Sequence, residues 1–164
     1  SSLALTDEYL GHVVDERYQQ VLDRDPDAAG RTFWVSKLRS GLTEVGLVAS
    51  LVGSGEFLTK AGGDTPGFVD RAYQVLLDRA PDPAGRQSWI DAVESGTPRH
   101  TVGATLYQSS ESRRHRVRSL YLQFLHRSPD AGGLAYWMGV IRTRGDVSLA
   151  ISLGSSNEYA NRTL

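Results

Sequence analysis

One pattern, Y-x-x-x-L-x-R-x-P-D-x-x-G-x-x-x-W, occurs three times in this chain with every fixed letter kept. A repeat of that kind constrains the fold more than any local propensity does. The first copy runs from Tyr18 through Leu22, Arg24, Pro26, Asp27 and Gly30 to Trp34. The second holds Tyr73, Leu77, Arg79, Pro81, Asp82, Gly85 and Trp89, and the third Tyr121, Leu125, Arg127, Pro129, Asp130, Gly133 and Trp137. Taking the arginines as markers, the spacings are 79 − 24 = 55 and 127 − 79 = 48 residues, near the repeat lengths of helical arrays. The extra residues are 61–67, Ala-Gly-Gly-Asp-Thr-Pro-Gly, whose composition predicts a loop between the first and second units. The units span approximately 6–60, 65–111 and 112–162 of a single domain, 1–164.

Each unit reads as three helices. Val13, Val14, Arg17, Tyr18, Val21 and Leu22 recur at helical spacing, as do Val69, Tyr73, Val75, Leu76 and Leu77, and then Val117, Leu120, Tyr121, Phe124 and Leu125. This predicts a first helix with Tyr and Leu on its buried face, ended by the proline two residues past the arginine. Its start in the second unit is predicted at Thr65 as N-cap with Pro66 at the first helical position. The second helix opens on the recurring aspartate, because Asp82 is followed by Pro83, and by repetition Asp27 and Asp130 are N-caps too. It carries the tryptophan and stops at Gly41, at Gly96 and near Gly145. The third helix begins at Thr43, at Thr97 with Pro98, and at Asp146, and ends around Ser54, Ser109 and Ser155. No stretch alternates apolar and polar residues over a strand length, so the expected fold is all-α, three helical repeats packed as one compact bundle.

Glycine three residues after an N-cap replaces the Glu or Gln of a capping box and costs about 1 kcal/mol in a helix relative to Ala. A cost repeated three times implies that the preceding helix, or its tyrosine, lies against the glycine with the indole beside it. The tryptophans are then core wedges, with partial exposure on a binding surface as the alternative. The arginine suits the C-terminal end of the first helix and stands three residues before the capping aspartate, which predicts a structural clamp between them. The competing reading makes Arg24, Arg79 and Arg127, with Asp27, Asp82 and Asp130, the lining of repeated polar pockets.

Composition narrows the partners. With 40% hydrophobic and 23% charged residues the chain is expected to fold, and a net charge of −1 leaves no basic surplus for nucleic acid or an anionic membrane surface. No apolar run approaches the span of a bilayer, so membrane insertion is not expected, and any leader or anchor would lie outside this chain. Without cysteine there is no disulfide or thiolate chemistry. Asp23, Asp25 and Asp27 alternate like calcium ligands, but the loop lacks the glycine directly after the third acid and the closing Glu, and the other units do not repeat the acids. His12, His100, His115 and His126 show no zinc spacing. No nucleophile elbow, P-loop or dinucleotide glycine pattern occurs, and the recurring carboxylates are caps, held ionised and ill-suited to act as acids. No metal, no cofactor and no enzymatic activity are therefore expected. Arg113, Arg114, His115, Arg116 and Arg118 form the one dense basic run, read as a solvated helix start or, less simply, as an anion-binding patch. Asn161-Arg162-Thr163 fits a glycosylation sequon.

At Arg79-Ala80-Pro81-Asp82-Pro83-Ala84-Gly85 with Trp89, and at the closing Ser54-Gly55-Glu56-Phe57, the chain resembles a bacterial repeat family catalogued as domain of unknown function 4214. The closing element weakens to Ser110-Glu111-Ser112 and Asn157-Glu158-Tyr159 in the later units. The family is similar in its helical repeats to phycobilisome linker domains. The resemblance implies an all-α module of secreted or surface-associated bacterial proteins, and supplies no catalytic residues. Two functions are expected from it. The first is a non-catalytic accessory module that binds cell-envelope or extracellular polysaccharide, Trp34, Trp89 and Trp137 stacking on sugar while Arg24, Asp27, Arg79, Asp82, Arg127 and Asp130 bond hydroxyls, with three weak sites acting through avidity. The second is a scaffold or protein-interaction module with no glycan ligand. Exposed indoles would favour the first, buried ones the second.

Overall fold

The computed structural model describes residues 2–156, and they are all helical apart from turns, with no strand among the described residues. The closing Asn157-Glu158-Tyr159 of the third unit and the sequon at Asn161 lie outside them. The first repeat comprises α1 (Ser2–Leu22), α2 (Ala28–Arg39), α3 (Glu44–Val52) and the short α4 (Gly55–Lys60). The second comprises α5 (Thr65–Leu77), α6 (Pro83–Glu94) and α7 (Arg99–Gln108), and the third α8 (Ser110–Leu125), α9 (Ala131–Arg144) and α10 (Asp146–Gly154). The helices divide between Tyr107 and Gln108 into two compact units.

In the first unit the two leading repeats share one core. The first helix of each buries the face predicted for it, with Val14, Val21, Leu22, Val69, Leu76 and Leu77 all inside. The third helices complete it with Leu47, Val48, Leu51 and Val52 from α3 and Val102, Leu106 and Tyr107 from α7. These two helices meet closely: a Cβ on Gly103 would stand 2.8 Å from Val52 Cβ, and one on Gly53 2.9 Å from His100 Cβ. The second unit has its own core of Val117, Tyr121, Leu125, Ile141, Leu149 and Leu153. The second helix of each repeat is the outer one: α2 has no fully buried residue, and α6 and α9 bury one each, Ile90 and Ile141.

The caps show where local sequence decides and where it misleads. Asp27, Asp82 and Asp130 are N-caps, each carboxylate accepting the N–H of the glycine three residues on, and Pro83 opens α6. Thr43 does the same for Gly46 and Ser54 for Phe57. The predicted cap at Thr65 is corrected: Thr65 is already helical, and Asp64 caps α5 by accepting from Gly67 N–H. An ionised carboxylate is the stronger acceptor, and Pro66 fits the first turn equally well one place later. Residues 65–67 therefore belong to a helix, and the loop shrinks to a turn through Gly62 and Gly63, both at positive φ. The start expected at Thr97 moves to Arg99, with Pro98 just outside α7. Where the third repeat has no such insertion, Ser109 caps a single long helix, so the counterpart of α4 is the first turn of α8.

The first helices end otherwise than predicted. Asp23, Asp78 and His126, each directly before the recurring arginine, are left-handed at φ 54, 53 and 53. Each donates its N–H to a carbonyl four residues back, on Gln19, Gln74 and Leu122. That is a C-terminal cap made without glycine, by residue types that tolerate the left-handed region. The exposed Asp23 therefore stands where glycine costs nothing and a branched side chain does. Asp23→Gly is expected to keep or raise stability by up to about 1 kcal/mol, and Asp23→Val to lower it by about 1–2 kcal/mol, read by urea unfolding.

Candidate functional site

The recurring residues assemble around the tyrosine. Tyr18, Tyr73 and Tyr121 are buried on the first helix of their repeats. In each, the hydroxyl lies over the glycine of the following helix: a Cβ on Gly30, Gly85 or Gly133 would stand 3.6, 3.2 or 3.2 Å from it. That explains the cost of glycine at this position. On Gly85 the same Cβ would also come within 2.8 Å of Asp82 Oδ1, the capping carboxylate. A larger residue would push the second helix off the first, or break its cap.

The tryptophans are neither solvent-facing nor fully enclosed. Trp34 and Trp89 are half-buried against the core of the first unit, and Trp137 against that of the second. Trp34 Nε1 donates to Tyr18 Oη at 2.8 Å, which closes a path from tyrosine through indole to the outer helix. Beside two of them stand exposed aromatics, Phe33 and Tyr136, each edge-on to its indole at 5.0 Å between ring centres.

The arginines share one pose. Arg24, Arg79 and Arg127 lay their guanidinium groups over the tyrosine rings at 5.2, 5.3 and 5.4 Å, cation on π-face. Each also donates to the carbonyl of the next residue, Asp25, Ala80 or Ser128, at 2.9, 3.1 and 3.2 Å. The clamp predicted between Arg24 and Asp27 is corrected: Arg24 Nε and Nη2 grip the carboxylate of Glu56 at 2.7 and 2.9 Å. Asp27 is occupied with Gly30 N–H. The fork geometry of that pair is the reason, since a cap carboxylate facing its own helix cannot offer both oxygens to a guanidinium. This bidentate bond holds Glu56 below the ordinary carboxylate range and raises Arg24, burial opposing both. Glu56, from the closing Ser-Gly-Glu-Phe element, thus ties α4 to the end of α1. Lys60 Nζ adds to that tie by donating to the Leu22 carbonyl.

A second recurring pair went unread in the sequence. Arg31 Nε bonds Asp15 at 2.9 Å, and Arg86 bonds Asp70 through two nitrogens at 2.7 and 3.0 Å. Both link first helix to second, and the signal was present: Asp three residues before the tyrosine and Arg directly after the glycine, in two copies of three. The third copy has Arg118 and Leu134 at these places. There Arg116, nearly buried, bonds Asp146 at 2.9 Å and so joins α8 to α10. The basic run thereby splits. Arg113 and Arg116 turn inward, Arg113 donating to the Met138 carbonyl, and burial with Arg142 and Arg116 nearby lowers the affinity of Arg113 for its proton. Arg114, His115 and Arg118 remain exposed.

The three aspartates that alternate in the first unit serve three separate ends: Asp23 as the left-handed cap, Asp25 as acceptor from Gln19 Nε2 at 2.8 Å, and Asp27 as N-cap. Among the described residues no group of acidic, His or Cys side chains is placed to hold a metal ion, and no helix is long and apolar enough to cross a membrane.

The family model described as domain of unknown function (DUF4214) matches residues 7–61, 48–116 and 104–163, three overlapping copies that together cover nearly the whole chain. The chain belongs to the DUF4214 family. No curated protein and no solved structure matches it. Neighbouring DUF4214 copies overlap over residues 48–61 and 104–116, the stretches that close one repeat and lead to the next.

Two consequences are measurable. Tyr18→Phe removes the acceptor of the Trp34 indole and is expected to cost about 1 kcal/mol in urea unfolding, with the fold kept. Because Glu56 is depressed in the folded state, its contribution is full above the unfolded pKa and is lost as pH falls through the folded one. Glu56→Gln should therefore be less stable than wild type at pH 7, by no more than about 1 kcal/mol for so exposed a pair, with the two converging as pH drops below about 4.

Proposed function

We propose that this DUF4214 protein is a non-catalytic module that acts by contact, a structural or protein-interaction scaffold carried in a secreted or surface-associated bacterial polypeptide. One observation carries the reading: the nine recurring Arg, Asp and Trp residues have work inside their own repeats. The arginines cover tyrosine rings and bond main-chain carbonyls, the aspartates cap helices, and the tryptophans pack on the cores. Arginines and aspartates whose polar groups are engaged within the fold have little left to bind sugar hydroxyls, and half-buried indoles offer little open face for stacking. The extracellular setting rests on the resemblance of the repeats alone.

Phe33 and Tyr136 favour the second reading, a polysaccharide-binding accessory module. They are 52% and 64% exposed, occupy the same place in the first and third repeats, and are held by their tryptophans as fixed flat surfaces. Ser88 stands there in the second repeat, which reduces three equivalent sites to two.

The test is retention of the purified protein on insoluble cell-wall fractions and a panel of polysaccharides, with Phe33→Ala, Tyr136→Ala and Trp89→Phe alongside and folding checked by circular dichroism. The scaffold reading expects no retention, and Trp89→Phe to change stability alone. Retention that drops when Phe33 or Tyr136 is removed from a folded protein would replace it by the polysaccharide reading.

A further inference from the structure

The insertion that breaks the repeat spacing also borders a cleft. Residues 61–64 separate α4 from α5, and Ala61 together with Gly67, in the first turn of α5, lines an open cavity of about 670 Å³ in the first unit, within the range of ligand sites. Its charged lining is Lys60, Arg71 and Arg86 against a single acid, Asp70. That acid is already spent on Arg86 through both its oxygens.

Arg71 is the unusual member. Its guanidinium lies over the Phe57 ring at 5.4 Å, and its buried Nε has no hydrogen-bond partner among the described residues. A guanidinium held on an aromatic face and engaged by no carboxylate among the described residues is pre-organised to take an oxyanion through the parallel N–H bonds of its two Nη groups. The signature does not call for it: Glu16 and Ser119 stand at the corresponding places of the other repeats. The remaining walls include Val75, Ala80 and Pro81, all aliphatic, and no aromatic ring lines the cleft. A sugar ring has no face to stack on there, whereas the carboxylate and methylene stem of an acidic side chain fit both cations and walls.

We propose that this cleft is a docking site for an acidic peptide segment of a partner protein, with Arg71 receiving a carboxylate and Lys60 adding positive charge beside it, while Arg86 is matched by Asp70. The proposal deepens the scaffold reading and rests on it, by giving the contact a place and a charge. The mode is local, so the net charge of −1 for the whole chain does not oppose it.

The experiment is fluorescence anisotropy of a labelled Glu-Ala peptide titrated with the full chain. A Lys-Ala peptide, a uronic-acid oligosaccharide and inorganic phosphate serve as comparison probes. Binding of the acidic peptide that weakens as salt rises is expected, with Arg71→Met reducing affinity about tenfold or more. Met keeps the apolar stem over Phe57, Arg71→Lys should restore part of the loss, and Arg118→Gln, on an exposed arginine of the other unit, should change nothing. Thermal unfolding of each variant separates lost binding from lost fold. The proposal is overturned if the acidic peptide does not bind saturably, or if folded Arg71→Met and Arg71→Lys both bind as wild type does. Tighter, Arg71-dependent binding of the uronic-acid oligosaccharide would overturn it together with the scaffold reading. A silent peptide beside an empty polysaccharide panel removes the cleft alone.

Discussion

The contact between a tyrosine hydroxyl and a helix-start glycine is the constraint on which each repeat depends. It sets how near the second helix lies to the first, and every other fixed letter follows from that distance. The aspartate must cap the second helix because its N-terminus stops beside the tyrosine and leaves N–H groups without carbonyl partners. The arginine covers the face of the same tyrosine ring and, by bonding the carbonyl of the next residue, ties the turn to the helix end. The tryptophan, one turn after the glycine, fills the wedge that two helices in such close approach leave open, and in the first repeat its N–H settles on the same hydroxyl.

Around that common frame the repeats differ where polar bonds are concerned. The first two join first and second helix by Asp15 with Arg31 and Asp70 with Arg86. The third replaces both residues and instead ties first helix to third by Arg116 and Asp146, at about 12% side-chain exposure. Exposed pairs of the first kind contribute little stability and are replaceable, while a nearly buried pair matters chiefly because losing one partner strands the other. The geometry of apolar contact is kept and the electrostatics drift.

Much of this was legible from spacing. The helix-one faces, the three capping aspartates, Pro83 at the start of its helix and the tyrosine against the glycine all follow from local rules applied three times over, where repetition removes accidents. The failures have physical causes. Thr65 and Asp64 are both competent caps one residue apart, and only the charge of Asp64 decides between them. The left-handed caps at Asp23, Asp78 and His126 were hidden because the local code expects glycine there. The partner of Arg24 was misjudged because Glu56 lies 32 residues away in sequence, beyond any local rule, though the family signature contained it.

The sequence by itself determined the number of repeats, their all-helical character and the residues that order each one, because those depend on contacts repeated within a short stretch of chain. Only the tertiary structure decided how the recurring residues are spent. Whether a tryptophan is wedge or platform depends on how much of it the neighbouring helices cover. Whether an arginine meets Asp27 or Glu56 depends on which carboxylate the fold turns toward it. The cleft beside Arg71 belongs to the same class: its cations are scattered between residues 60 and 86, and only the packing of α4, α5 and α6 brings them to one place.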